Sequence, residues 1–196
     1  IIQCILPSIM RSFFANNTVY SKGCAVTNVN TVWLRITASI FWNNQGHSDR
    51  AQTIYHGVIR SKSCNYTYYS ECVFVRNKEC CIFVKSSSTL VIQNSTLRKN
   101  TIDHYGKPGR AIYVDKCKVA RIEQTKLMFN ADQSNQGGIF MVKIFSCSFV
   151  NLSFILNKAY HAGGLKVKTG VLVTIYRVTF IYNIASMDGG GLVLQR

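Results

Sequence analysis

The side chains in this 196-residue chain that could do acid–base chemistry are few. Its carboxylates are Asp49, Glu71, Glu79, Asp103, Asp115, Glu123, Asp132 and Asp188. Cleaving a polysaccharide needs clustered carboxylates, as general acid and base or as calcium ligands, with a basic residue beside them. No two of the eight stand close in sequence at matching positions of a repeat. The best constellation is Asp103 and His104 with Asp132 and, further on, His161. Solvated turn residues account for all four, so no catalytic residue is assigned. The eight cysteines, at 4, 24, 64, 72, 80, 81, 117 and 147, contain no C-x-x-C pair, so no metal site and no cofactor are expected.

The elements that must carry these residues repeat. Seven times a large apolar residue is followed three positions later by asparagine: Phe14/Asn17, Phe41/Asn44, Phe74/Asn77, Leu97/Asn100, Leu127/Asn130, Phe154/Asn157 and Phe180/Asn183. Five residues before the anchor stand Ile36, Tyr69, Ile92, Ile122, Phe149 and Ile175. Ahead of these come β-branched runs such as Val32-Trp33-Leu34 and Leu90-Val91-Ile92, whose composition favours strand. After the asparagine a polar stretch leads to a small-residue turn and more apolar residues. Each repeat therefore reads strand, turn, strand, turn, strand, and one such turn cannot bury its apolar face without neighbours. The expected fold is all-β, a right-handed parallel β-helix of about seven coils, with residues 1–196 forming one domain. The asparagines at 17, 44, 77, 100, 130, 157 and 183 are expected to form a structural row. Two properties suit them to it: tolerance of left-handed backbone at a corner, and amide bonding to the next coil.

The pairing of FxxN with a glycine turn resembles the repeats of polymorphic outer membrane proteins and, more broadly, right-handed β-helices of the pectin-lyase-like superfamily. Phe154 to Asn157 followed by Gly163-Gly164-Leu165, and Phe180 to Asn183 followed by Gly190-Gly191-Leu192, match best. Gly23-Cys24-Ala25-Val26 and Gly109-Arg110-Ala111-Ile112 match more loosely. The resemblance implies a fold that hosts both polysaccharide-acting enzymes and surface proteins.

Four N-x-S/T sequons occur, at Asn16, Asn65, Asn94 and Asn151. Asn94 and Asn151 share one register, three before the anchor, where other coils carry Ala38, Glu71, Gln124 and Arg177. A position that accepts charge and bulk faces solvent, so these are candidate glycosylation sites of an extracellular or cell-surface protein. Cys64, Cys72, Cys80 and Cys81 crowd around the longest coil, where a staple would help most, and at least one disulfide is expected among them. Buried thiols are the competing reading.

The net charge is +15, carried by a chain only 16% charged. Lys166 and Lys168, and Lys116 and Lys118, alternate in sequence, so each pair is expected to share a strand face that could meet an acidic glycan. The sequons argue against nucleic acid. No apolar run approaches the roughly 20 residues of a membrane span. The chain opens at Ile1 and closes part-way into a coil at Gly191-Leu192-Val193-Leu194, so a segment of a longer solenoid, or a subunit packed on copies of itself or other chains, is expected. These readings converge on a non-enzymatic structural or adhesive β-helix, plausible as a building block of a surface filament or appendage. The alternative is a polysaccharide-binding or polysaccharide-cleaving β-helix.

Overall fold

A computed structural model describes residues 6–19, 25–46, 57–78, 80–102, 111–132 and 137–195. Every regular element among them is a strand, and every strand pairing is parallel and in register. The chain is a parallel β-solenoid. Its second sheet stacks Phe13–Ala15, Ile40–Trp42, Val73–Val75, Thr96–Arg98, Lys126–Met128, Ser153–Ile155 and Thr179–Ile181 in that order. Seven anchor strands make about six full turns between them.

The first sheet holds two more strand series, and two-residue strands after the asparagines pair in smaller sheets of their own. A leading series runs from Val26–Val29 through Ile59–Lys62, Ile82–Lys85 and Ile112–Asp115. A following series runs from Ser8–Met10 through Trp33–Thr37, Tyr66–Ser70, Thr89–Gln93 and Val119–Glu123. The two merge in the 12-residue strands Ile139–Val150 and Leu165–Tyr176. From the first leading-strand residue to the asparagine, every coil has the same length: Val26 to Asn44, Ile59 to Asn77, Ile82 to Asn100, Ile112 to Asn130, Ile139 to Asn157 and Leu165 to Asn183. The irregular repeat length is therefore absorbed outside this stretch, between the asparagine and the next leading strand.

Period-2 alternation sends the anchors inward. Phe41, Phe74, Leu97, Leu127 and Phe154 are fully buried. Their rings stack at 4.8 Å between Phe14 and Phe41, 4.8 Å between Phe41 and Phe74 and 5.0 Å between Phe154 and Phe180, the spacing of neighbouring strands. A second interior column is Ile36, Tyr69, Ile92, Ile122, Phe149 and Ile175. The Tyr69 hydroxyl, buried with it, meets Ser61 Oγ at 2.8 Å, and desolvation pushes its pKa above the usual phenol range.

The asparagines form the expected ladder, through their side-chain amides and their backbone N–H groups. Asn77 Nδ2 donates to Asn100 Oδ1 at 3.0 Å and to the Phe41 carbonyl at 3.0 Å, while the Asn77 backbone N–H donates to the same Asn100 oxygen at 3.0 Å. The pattern repeats from Asn44 to Asn157. The left-handed residue is the one before each asparagine, which corrects the backbone half of the sequence argument. Among the described residues, the twenty non-glycine residues with positive φ fall into three corner rows, of which one is Asn16, Asn43, Arg76, Lys99, Phe129, Leu156 and Tyr182. A left-handed residue costs about 1–2 kcal/mol for most side chains. Each in this row through Leu156 is held by its N–H bonding a carbonyl of the next coil, as Arg76 does to Arg98 and Lys99 to Met128.

The cysteine expectation is overturned. Cys64, Cys72, Cys80, Cys81, Cys117 and Cys147 are all buried thiols, with no disulfide among the described residues. The reason is the column each occupies. Cys72 takes the inward corner position held by Ser39 and Ser95 in adjacent coils, and its Sγ lies 3.4 Å from the Ser70 carbonyl. Cys64 takes the corresponding place of Thr31, whose hydroxyl is 3.4 Å from its sulfur. Cys64 and Cys72 each replace a hydroxyl in a polar corner row, so their neighbours along the column are Ser and Thr, whereas Cys147 lies between Ala120 and Val173 in an interior strand column. Burial pushes the Cys72, Cys117 and Cys147 thiols up to about 11, which keeps them protonated and unreactive.

Candidate functional site

Of the acid–base constellation, Asp103 and His104 lie outside the described residues. Strand Ala131–Asp132 pairs with Thr101–Ile102, which fixes the backbone of Asp132 alone. His161 joins a different group. The turn before strand Leu192–Gln195 brings Asp188 over Lys166, whose Nζ donates to Asp188 Oδ2 at 2.9 Å. His161 Nδ1 lies 3.3 Å from the same oxygen without hydrogen-bond geometry, and Tyr160 packs edge-on to its ring. The Lys166 hydrogen bond, its charge and that of His161 hold Asp188 below the usual carboxylate range. A carboxylate so held stays ionised and is a poor proton donor. The group is a clasp between the coil that begins at Leu165 and the turn that follows it.

The sign of that shift gives a testable consequence. Because the folded pKa lies below the ordinary value of about 3.9, the clasp stabilises the fold fully above that value and is lost as pH falls through the lower folded one. Asp188→Asn is therefore expected to lower the melting temperature slightly at neutral pH, with the difference from the parent shrinking below about pH 4. Melting curves across this range check it; a difference independent of pH would contradict the clasp.

The lysine pairs are not equivalent stripes. Lys166 is buried on Asp188, whereas Lys168 is exposed, and their column neighbours are Phe140 and Val142. Lys116 sits at a left-handed corner, φ 57°, with Lys118 beyond it; both are exposed and Cys117 between them points inward. Among the described residues no group of three or more His, Cys, Asp or Glu could hold a metal ion, and no helix is long and apolar enough to cross a membrane.

All four sequon asparagines are exposed. Asn94 and Asn151 stand in one left-handed corner row with Arg11, Ala38, Glu71, Gln124 and Arg177, at φ 48° and 53°. Asn16 stands in another, its Oδ1 accepting from Asn43 Nδ2 at 2.8 Å. The shared register read from the sequence is thus a solvent-facing corner.

Two features escaped the sequence reading. Asp188 reaches Lys166 through a turn whose path the repeat does not specify. The other is a groove on the outside of the anchor sheet, floored by Ile40, Val73 and Val75 and walled by Phe13 and Trp42. Its signal was present: outward positions flanking the anchor are apolar in the first three coils and include Arg98 and Lys126 afterwards. Comparison of the chain with protein-family profiles, with curated proteins and with solved structures finds no match.

Proposed function

We propose that the chain is a non-enzymatic, extracellular β-helix with a structural or adhesive role, serving as a building block of a surface filament or appendage. The observation that carries this reading is the outward placement of all four N-x-S/T asparagines on an amide- and aromatic-laddered column. A glycan needs its acceptor on the surface, and corners that tolerate any side chain accommodate one without disturbing the strands. The ladders suit a stiff spacer, because every coil is bonded to the next by the same groups. Pairing of FxxN with glycine turns supports kinship with pectin-lyase-like right-handed β-helices and with polymorphic outer membrane protein repeats. The glycines have a steric reason: a Cβ on Gly138 would collide with the Gly164 carbonyl oxygen. The proposed partners are further copies or other chains of the assembly.

Material from the native source is expected to carry glycan on at least one of Asn16, Asn65, Asn94 and Asn151, and to associate in light scattering or microscopy. Intact mass before and after deglycosylation reads the first, particle size the second. Unmodified asparagines on a stable monomer that cleaves an acidic polysaccharide would overturn the proposal.

A further inference from the structure

On the outer face of the anchor sheet, two columns of side chains alternate with the buried anchors. One runs Phe13, Ile40, Val73 and Thr96; the other runs Ala15, Trp42, Val75 and Arg98. Over the first three coils both are apolar, and Phe13 and Ile40 remain 64% and 42% exposed. A sheet face turned to water has no need of a strip apolar in both columns: further along the first column turns polar at Thr96, Lys126 and Ser153, while the second passes through Arg98 to Met128 and Ile155. The strip is recessed into a groove of about 550 Å³. Its basic end is formed by Arg98 on the strand and by Arg76 and Lys99 on the adjoining corner. None of these three cations is in an ion pair with a described carboxylate.

We propose that this groove binds an acidic peptide segment of a partner protein. An apolar side chain seats on Ile40 and Val73 beside Trp42, and neighbouring carboxylates bond Arg76, Arg98 and Lys99. Two guanidinium forks offer paired hydrogen bonds to carboxylates, and Trp and Arg, here a half-buried Trp42 beside exposed Arg76 and Arg98, are among the side chains that most often dominate protein interfaces. The lining argues against a sugar, because the indole N–H of Trp42 is its one neutral hydrogen-bonding side-chain group, too little to replace the water a hydroxyl-rich ligand would lose. A lipid surface is flat and would leave the recess unfilled. The inference names the partner chemistry for the adhesive reading above and rests on it; glycan mass and particle size decide that reading, whereas the following selection decides the groove.

A displayed library of random dodecapeptides is selected on the full chain, with counter-selection on the Arg76→Glu/Arg98→Glu variant. Enrichment of sequences that place Asp or Glu beside a large apolar residue is expected. Binding of the enriched peptides, followed by fluorescence anisotropy, should weaken about tenfold with Arg98→Glu and again with Arg76→Glu. Ile40→Ser should weaken it too. Lys168→Glu, the same charge change at an exposed site elsewhere, should leave it within about twofold. Circular dichroism and melting confirm that each variant is folded. Failure to enrich acidic sequences, or equal loss with Lys168→Glu, would overturn the proposal. So would binding of phosphatidylserine vesicles or a uronic-acid oligosaccharide that exceeds peptide binding and disappears with Arg98→Glu.

Discussion

Replacing Phe74 by alanine is expected to cost about 3 to 5 kcal/mol, because it opens a cavity in the middle of the anchor column. Phe74 is fully buried, its ring stacks 4.8 Å from that of Phe41, and Leu97 follows it in register. Backbone bonds on both sides hold its strand in place, so the coils cannot close over the void. That loss is a large part of the 5 to 15 kcal/mol that a domain usually has in total. The column itself supplies the control. Leucine already fills this position at Leu97 and Leu127, so Phe74→Leu should cost roughly 1.5 kcal/mol or less if the stack matters chiefly as filled volume. Urea denaturation of both variants reads the difference, and equal costs would contradict the cavity argument.

Asn100→Leu is expected to be of similar severity for a different reason. Asn100 is buried, and its Oδ1 accepts both the Asn77 backbone N–H and Asn77 Nδ2, each at 3.0 Å. Its own Nδ2 donates to the Phe74 carbonyl at 3.2 Å and to Asn130 Oδ1 at 2.9 Å. Leucine matches the volume roughly but abandons all of these partners. Each buried polar group left unpaired costs about 1 to 3 kcal/mol, so a total of about 4 kcal/mol is reasonable. Faster amide exchange at Asn77 should accompany it, because its N–H would lose its acceptor. A neutral substitution would show that the ladder adds nothing to coil stacking.

The interior was legible in the sequence because two constraints coincide there. A period-2 strand fixes which side chains turn inward, and stacking at one register forces the same residue classes to recur, so the Phe14 to Phe180 and Asn17 to Asn183 rows could be read directly. Asn94 and Asn151 were legible as outward for the same reason. The corners were harder. The residue that adopts the left-handed backbone lies just before the ladder asparagine, and it is Asn, Arg, Lys, Phe, Leu or Tyr depending on the coil. Its conformation is imposed by the N–H bonded to the neighbouring coil, so no residue type advertises it. Cysteine spacing is a poor guide here because proximity in sequence is not proximity in space. Cys64 and Cys72 stand at different corners of one coil, each in a column of hydroxyls. The Lys166 clasp was illegible because Asp188 arrives along an irregular turn outside the constant stretch of the repeat.

The central claim is that sequence repeats map one to one onto stacked coils, and distances along one outer column test it most directly. Thr179 is paired in turn with Ser153, Lys126, Thr96, Val73, Ile40 and Phe13 through parallel, in-register strands. Spin labels on a cysteine at 179 and one at 73, 40 or 13, in a background with Cys4 and Cys24 replaced by serine, are compared by double electron–electron resonance. The buried native thiols stay unlabelled. The account predicts separations that grow by about 4.8 Å for each coil added, to roughly 29 Å between 179 and 13. Separations that do not increase in steady steps with coil number would contradict it.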